Sequence, residues 1–174
     1  EIMLQQTKVN TVIPYFNKFL AKWPNILTLS KASLNEVLQI WSGLGYYSRA
    51  RNLHAASKII VKDFAGILPD NEKDLMKLPG VGQYTASAIL AIAYKKQAIV
   101  IDVNVKRIIS RLFYIKENNQ KEIKLFAEDL LDKNRPGDYS EAIMELGQTI
   151  CVPNKPKCSI CPCIKYCISK RFDN

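Results

Sequence analysis

Apolar residues recur along the chain at helical spacing, and no stretch shows the period-two alternation of a half-buried strand, so the pattern predicts an all-α fold. In the first segment Val9, Val12, Ile13, Phe16, Leu20 and Trp23 fall near one helical face, with Thr7 placed to cap the helix, Pro14 to kink it and Trp23-Pro24 to close it. Ser33 and Glu36 have capping-box spacing ahead of Val37, Leu38, Ile40 and Trp41, and Gly43 supplies a stop. A helix from Ser48 carries Leu53, Ala56, Ile59, Ile60 and Phe64 on one face, flanked by Arg49, Arg51, Lys58 and Lys62 as a solvated surface, and ends at Gly66. A short helix over 71–78 then leads through Pro79-Gly80-Val81-Gly82 into the small, apolar run from Tyr84 to Leu90, which reads as helix, tight hairpin, helix. Asp102 is placed to cap 103–113, and Ile123, Phe126, Ala127, Leu130 and Leu131 mark the next helix. Asp138 and Glu141 repeat the capping-box spacing before the last long helix. The expected organisation is two helical lobes, 1–97 and 98–174.

With 174 residues, 48% of them hydrophobic, the chain can bury one core or two small adjoining ones. Lys and Arg number 25 against 16 Asp and Glu, a formal charge of +9, which suits a polyanionic partner, either nucleic acid or an anionic membrane surface. No apolar run approaches the roughly 20 residues that span a bilayer, and the first residues lack the basic and apolar regions of a signal peptide. The expectation is a monomer without a membrane partner, cytoplasmic and nucleoid-associated in the bacterial manner. Because residue 1 is Glu and the chain opens in a helical pattern, it reads as a fragment.

All five cysteines lie between Cys151 and Cys167, a clustering that points to an inorganic centre and not to a disulfide framework. Cys151, Cys158, Cys161 and Cys167 have the spacing C-x6-C-x2-C-x5-C. Four sulfur ligands suit either Zn²⁺ or an iron–sulfur cube; a structural zinc site typically uses two short Cys clips, and only one is present, which favours [4Fe–4S] with Cys163 a spare thiol. In the hairpin, Gly80 and Gly82 permit φ > 0 and close backbone approach, and N–H groups at the start of the following helix suit a DNA phosphate.

Leu78-Pro79-Gly80-Val81-Gly82 resembles the helix–hairpin–helix of the endonuclease III superfamily, Val100-Ile101-Asp102 its aspartate motif, and Cys151 to Cys167 its cluster loop. Within that superfamily, Glu1-Ile2-Met3-Leu4-Gln5-Gln6-Thr7, Gly43-Leu44-Gly45-Tyr46-Tyr47 and Asp102-Val103-Asn104-Val105-Lys106-Arg107 look most like the adenine DNA glycosylase branch. The resemblance implies a two-lobed helical fold that binds double-stranded DNA bearing a mismatched adenine and hydrolyses its N-glycosidic bond opposite 8-oxoguanine or guanine. It implies Glu1 as the acid that protonates adenine and then activates water, Asp102 as the carboxylate that stabilises the oxocarbenium-like sugar by charge or by transient covalent attachment, and Asn104 as a support of this pocket. Read from the residues alone, Glu1 is an exposed terminal carboxylate and Asp102 a helix cap.

Tyr84 stands where the superfamily's bifunctional enzymes carry a Schiff-base lysine, which implies hydrolysis without efficient strand cleavage; ordinary packing is its other reading. Gln5, Gln6, Leu44 and Tyr46 resemble the wedge that enters the duplex where the base is expelled, although Leu44 and Tyr46 also suit a core. Glu141 resembles the side chain that bonds the expelled adenine, equally a capping residue. Val103 departs from the glycine expected there. The branch also carries a helix before Glu1 and a further C-terminal domain that helps recognise 8-oxoguanine, both outside this chain. The alternatives are a G·T mismatch thymine glycosylase of the same superfamily and a catalytically inert iron–sulfur module that binds DNA.

Overall fold

The structure, a computed structural model, describes residues 1–172. It is helical, and no strand occurs among the described residues. A 3-10 turn at Ile2–Leu4 precedes α1 (Val9–Lys22), α2 (Ile26–Lys31), α3 (Leu34–Trp41), α4 (Ser48–Asp63), α5 (Glu72–Leu75) and α6 (Gln83–Ala88). A π-helical turn at Ile89–Ala93 continues α6; α7 (Val103–Phe113), α8 (Gln120–Leu130), α9 (Pro136–Thr149) and α10 (Ile168–Phe172) follow, with 3-10 turns at Cys158–Ile160 and Ile164–Tyr166. The chain divides into two compact units, Glu1–Ala86 and Ser87–Asn174. The boundary thus lies inside α6, ahead of the 97/98 position read from the sequence. The physical reason is in α9, where Gly137 leaves so little room that a Cβ would meet Ala91 O at 2.9 Å, packing the π-helical turn into the second unit.

In the first unit, Met3, Val12, Phe19, Trp23, Leu29, Val37, Trp41, Leu44 and Ala50 form one buried cluster. The Phe19 ring meets Trp23 edge-on at 4.8 Å and Trp41 at 6.2 Å. Burying side chains of this size stabilises by about 1.5–3 kcal/mol each, so the cluster outweighs local propensity in deciding which face of α1 turns inward. That face is Val12, Phe19 and Trp23, whereas Val9, Ile13, Phe16 and Leu20 of the expected face are exposed. Thr7 does not cap α1; Lys8 occupies the cap without a side-chain bond, and the Thr7 hydroxyl donates to Gln5 O at 3.4 Å. The helix runs through Pro14, whose missing N–H costs one intrahelical bond. The Ser33–Glu36 capping box forms as read, Glu36 N donating to Ser33 Oγ at 3.2 Å and Ser33 N to Glu36 Oε2 at 3.0 Å.

The second unit is built on Val105, Ile108, Ile109, Ile123, Ala127 and Ile143 from α7, α8 and α9, with Phe113 stacked on Phe126 at 4.1 Å. Asp102 caps α7 as expected. The Asp138–Glu141 capping box does not form: α9 starts at Pro136, whose fixed φ suits the first helical position, so Asp138 already lies inside the helix.

Candidate functional site

Asp102 sits half-buried at the head of α7. Its Oδ1 accepts from the backbone N–H groups of Asn104 (2.8 Å) and Val105 (2.7 Å), and its Oδ2 accepts from Asn104 Nδ2 at 2.7 Å. Asn104 is held in turn, its Oδ1 accepting from Arg107 Nη2 at 2.8 Å. Arg107 is only 8% exposed, and it also donates to Cys151 O and Gly147 O, both at 2.8 Å. The carboxylate is therefore fixed in orientation by a chain of side chains that spans α7, α9 and the first cysteine. Cap and functional carboxylate are one group here, since bonding on the helix side fixes the rotamer. Val103, where a glycine was expected, points outward with 74% exposure. Arg107 had no role assigned from sequence, yet Asp102, Asn104 and Arg107 follow a spacing of two and three residues along one helix start, which was the available signal.

Beyond α9, Cys151, Cys158, Cys161 and Cys167 line one cavity of about 220 Å³, and Cys163 is not among its walls. Arg111 braces the rim, donating from Nη1 to Cys151 Sγ (3.4 Å) and Val152 O (2.8 Å) and from Nη2 to Pro153 O (2.8 Å). Among the described residues no three His, Cys, Asp or Glu side chains converge as on a single metal ion. Tetrahedral zinc with Zn–S near 2.3 Å would draw its sulfurs to within about 3.8 Å of one another. Thiols set around a cavity fit a cube better, because each sulfur then meets its own metal corner.

In the first unit, Glu1 is exposed, directly ahead of the 3-10 turn. Gln5 is half-buried, donating from Nε2 to Gly80 O (3.2 Å) and Thr85 Oγ1 (3.1 Å), so it ties this segment to the hairpin. Gln6 and Tyr46 are exposed, and both have left-handed backbone at φ 56° and 47°. Leu44 is 5% exposed and belongs to the core, so of its two readings the structure takes packing. It joins the same buried cluster as Trp41 and Ala50.

Arg49, read from sequence as a solvated charge, is 5% exposed. Its guanidinium lies 5.4 Å from the Trp41 ring and 5.3 Å from that of Tyr46. Burial pulls its pKa below the ordinary arginine value, with Tyr46 opposing.

Gly80 has φ +80°, and a Cβ there would meet Asn52 Cβ at 2.9 Å, so the hairpin needs glycine on both counts. Gly82 needs neither, since its surroundings are open and its φ ordinary. Val81 is half-buried and its N–H donates to Leu78 O at 3.1 Å, which removes it as a phosphate donor. The first intrahelical bond of α6 is Ala86 N to Gly82 O at 2.9 Å, so the N–H groups of α6's first turn precede the ladder. Tyr84 is half-buried on that turn, and Glu141 is exposed on α9. No helix among the described residues is long and apolar enough to cross a membrane.

The chain is similar to known proteins over nearly its whole length. The adenine DNA glycosylase of Buchnera aphidicola subsp. Baizongia pistaciae (strain Bp) is 42% identical over 99% of this chain and 51% of its own length. That of Homo sapiens is 42% identical over 98% of this chain and 32% of its own. The chain thus spans about half the length of these relatives, or less. A solved thermostable thymine-DNA glycosylase superposes with a TM-score of 0.91 at 30% identity, covering 98% of this chain and 81% of that one. Endonuclease III in a non-covalent DNA complex superposes at 0.86 with 23% identity, over 99% of this chain and 81% of that one, which shows a shared fold. Residues 1–133, holding the hairpin and the aspartate-capped helix, match the model of the HhH-GPD superfamily base excision DNA repair protein, and this chain belongs to that superfamily.

Proposed function

We propose that the chain carries the chemistry of an adenine DNA glycosylase, hydrolysing the bond between adenine and deoxyribose where adenine is mispaired with 8-oxoguanine or guanine. The observation that carries this reading is the 42% identity, spread over 99% of the chain, to a relative named adenine DNA glycosylase. The geometry at Asp102 supports it, because a carboxylate held by three donors keeps its free edge in one place. Glu1 delivers a proton to adenine N7 as the C1′–N9 bond breaks, and the negative charge of Asp102 steadies the positive sugar. Glu1 then takes a proton from water as its oxygen adds to C1′. Tyr84 has no amine to form an imine, so water is the final nucleophile. Gln6 and Tyr46 occupy the space left in the stack, and N–H groups at the start of α6 bind a backbone phosphate. Glu141 contacts the expelled base. Cys151, Cys158, Cys161 and Cys167 hold a [4Fe–4S] cluster, which supplies structural cross-linking and no electrons to the hydrolysis.

The test is single-turnover release of adenine from A·8-oxoguanine duplexes, with equilibrium binding measured at the same salt. Asp102→Asn and Glu1→Gln are each expected to slow release by about 10²- to 10³-fold, since they act on charge that develops only in the transition state. Duplex affinity should hold, because phosphate contacts dominate it. Borohydride should trap little covalent adduct, and strand breaks should need alkali. Thymine release from G·T duplexes without adenine release would move the protein to the thymine branch, and binding with no base release would make it an inert module.

A further inference from the structure

Gln6 and Tyr46 are side-chain-bearing residues in left-handed backbone, a conformation that persists only where the surroundings enforce it. Forty residues apart, they share one neighbour. Arg49 donates from Nη1 to Gln5 O and from Nη2 to Gly45 O (3.2 Å), the carbonyls immediately before the two left-handed residues. A planar peptide transmits that hold: fixing the carbonyl of residue 5 fixes one of the two peptide planes that meet at Gln6, and the Thr7 N–H bond to Leu4 O (3.0 Å) ties the other, as the Arg49 N–H bond to Tyr46 O (2.9 Å) does after Tyr46, so that φ is restricted. The same holds for Gly45 and Tyr46. Trp41 Nε1 adds a second donor to Gly45 O at 3.0 Å. Further bonds from Nη1 reach Met3 O (2.6 Å) and Ile2 O (3.4 Å), in the turn that follows Glu1.

The chemistry of the clamp is specific to arginine. A guanidinium offers five donors in a rigid plane, whereas an ammonium is a compact point charge. Among the described residues no carboxylate pairs with Arg49; its charge is met by carbonyl oxygens and by the faces of Trp41 and Tyr46. Such a buried cation is costly to keep unless it organises something. What it organises is the backbone at two exposed side chains.

We infer that Arg49 is the positioning residue of the wedge, holding Gln6 and Tyr46 in their left-handed, outward-presented conformation before DNA arrives. This rests on the reading that those two side chains enter the duplex. Preorganisation removes the cost of ordering the loops at the moment of base expulsion, so Arg49 acts on expulsion and not on phosphate binding.

The experiment places 2-aminopurine beside the mismatched adenine opposite 8-oxoguanine and reads its fluorescence rise on binding, with affinity measured at one salt concentration. Arg49→Lys is expected to lose most of the rise while the dissociation constant stays within roughly threefold. Adding Gln6→Ala to Arg49→Lys should cause little further loss, as two changes on one pathway are non-additive. Hydrogen exchange should quicken over residues 1–10 and 42–48 and stay unchanged over 103–113. An undiminished rise, additive losses, or unchanged exchange at both loops would overturn the inference. Should Arg49→Lys fail to fold, Trp41→Phe carries the test: it removes the indole donor to Gly45 O and is expected to quicken exchange over 42–48, and no change there overturns the clamp. If the unaltered protein gives no rise with any mismatch, the glycosylase reading fails, and exchange alone still decides whether Arg49 holds the two loops.

Discussion

Replacing Gly147 by alanine opposes two effects whose sizes predict different signs. In a helix interior alanine is favoured over glycine by about 1 kcal/mol, and Gly147 lies inside α9 at an ordinary helical φ. Against this, the added Cβ would lie 2.6 Å from Asn104 Cβ and 3.3 Å from Asn104 Cα, closer than atoms pack. Asn104 has no easy escape, because its backbone N–H and Nδ2 both bond Asp102 and its Oδ1 accepts from Arg107. Overpacking of this kind costs about 1–3 kcal/mol, so the expected net effect is a destabilisation of up to about 2 kcal/mol. For a chain of this size that lowers the melting temperature by up to about 8 °C. The same shift pushes Asn104 against Asp102, so adenine release should slow by about tenfold while duplex affinity holds, since only the transition-state interaction is disturbed. Thermal unfolding, single-turnover release and binding on one preparation check all three outcomes. A rise in melting temperature with unaltered release would show that propensity wins and that Asn104 does not position the carboxylate.

Two further predictions follow from other parts of the molecule. Glu36 accepts from Ser33 N–H and Ser33 Oγ and pairs with Lys22, which lowers its pKa from 4.5 to about 2. Its contribution to stability is therefore complete above about pH 4.5 and is lost as pH falls towards 2. An NMR titration should show its midpoint near 2, moving upward in Ser33→Ala; a midpoint near 4.5 in the unaltered protein would dissolve the capping box. At the cysteine cavity, anaerobically purified protein should be brown with about four irons per chain; Cys163→Ser should keep the colour and Cys158→Ser lose it, and stoichiometric zinc without iron would refute the cluster.

Helices, their amphipathic spacing and the caps at Ser33 and Asp102 were legible in the sequence because each depends on residues three or four apart. So were the hairpin and the four-cysteine spacing, which are local as well. Tertiary structure decided which side of each helix is buried and what each charge meets. The apolar residues of α1 form two faces, and only packing against Trp41 and Val37 selects Val12, Phe19 and Trp23. Leu44 and Tyr46 stand two residues apart in one glycine-bracketed turn, yet one lies in the core and the other 57% exposed, because backbone direction there is set by positive φ at Gly43, Gly45 and Tyr46. Arg49 reads as a surface charge beside Arg51; what it meets instead is an array of carbonyls from residues 2, 3, 5, 44 and 45, brought together only when the chain folds. Backbone oxygens occur at every position whatever the side chain, so sequence pattern carries no mark of where they will converge, and that convergence is what turns a basic flank into a clamp.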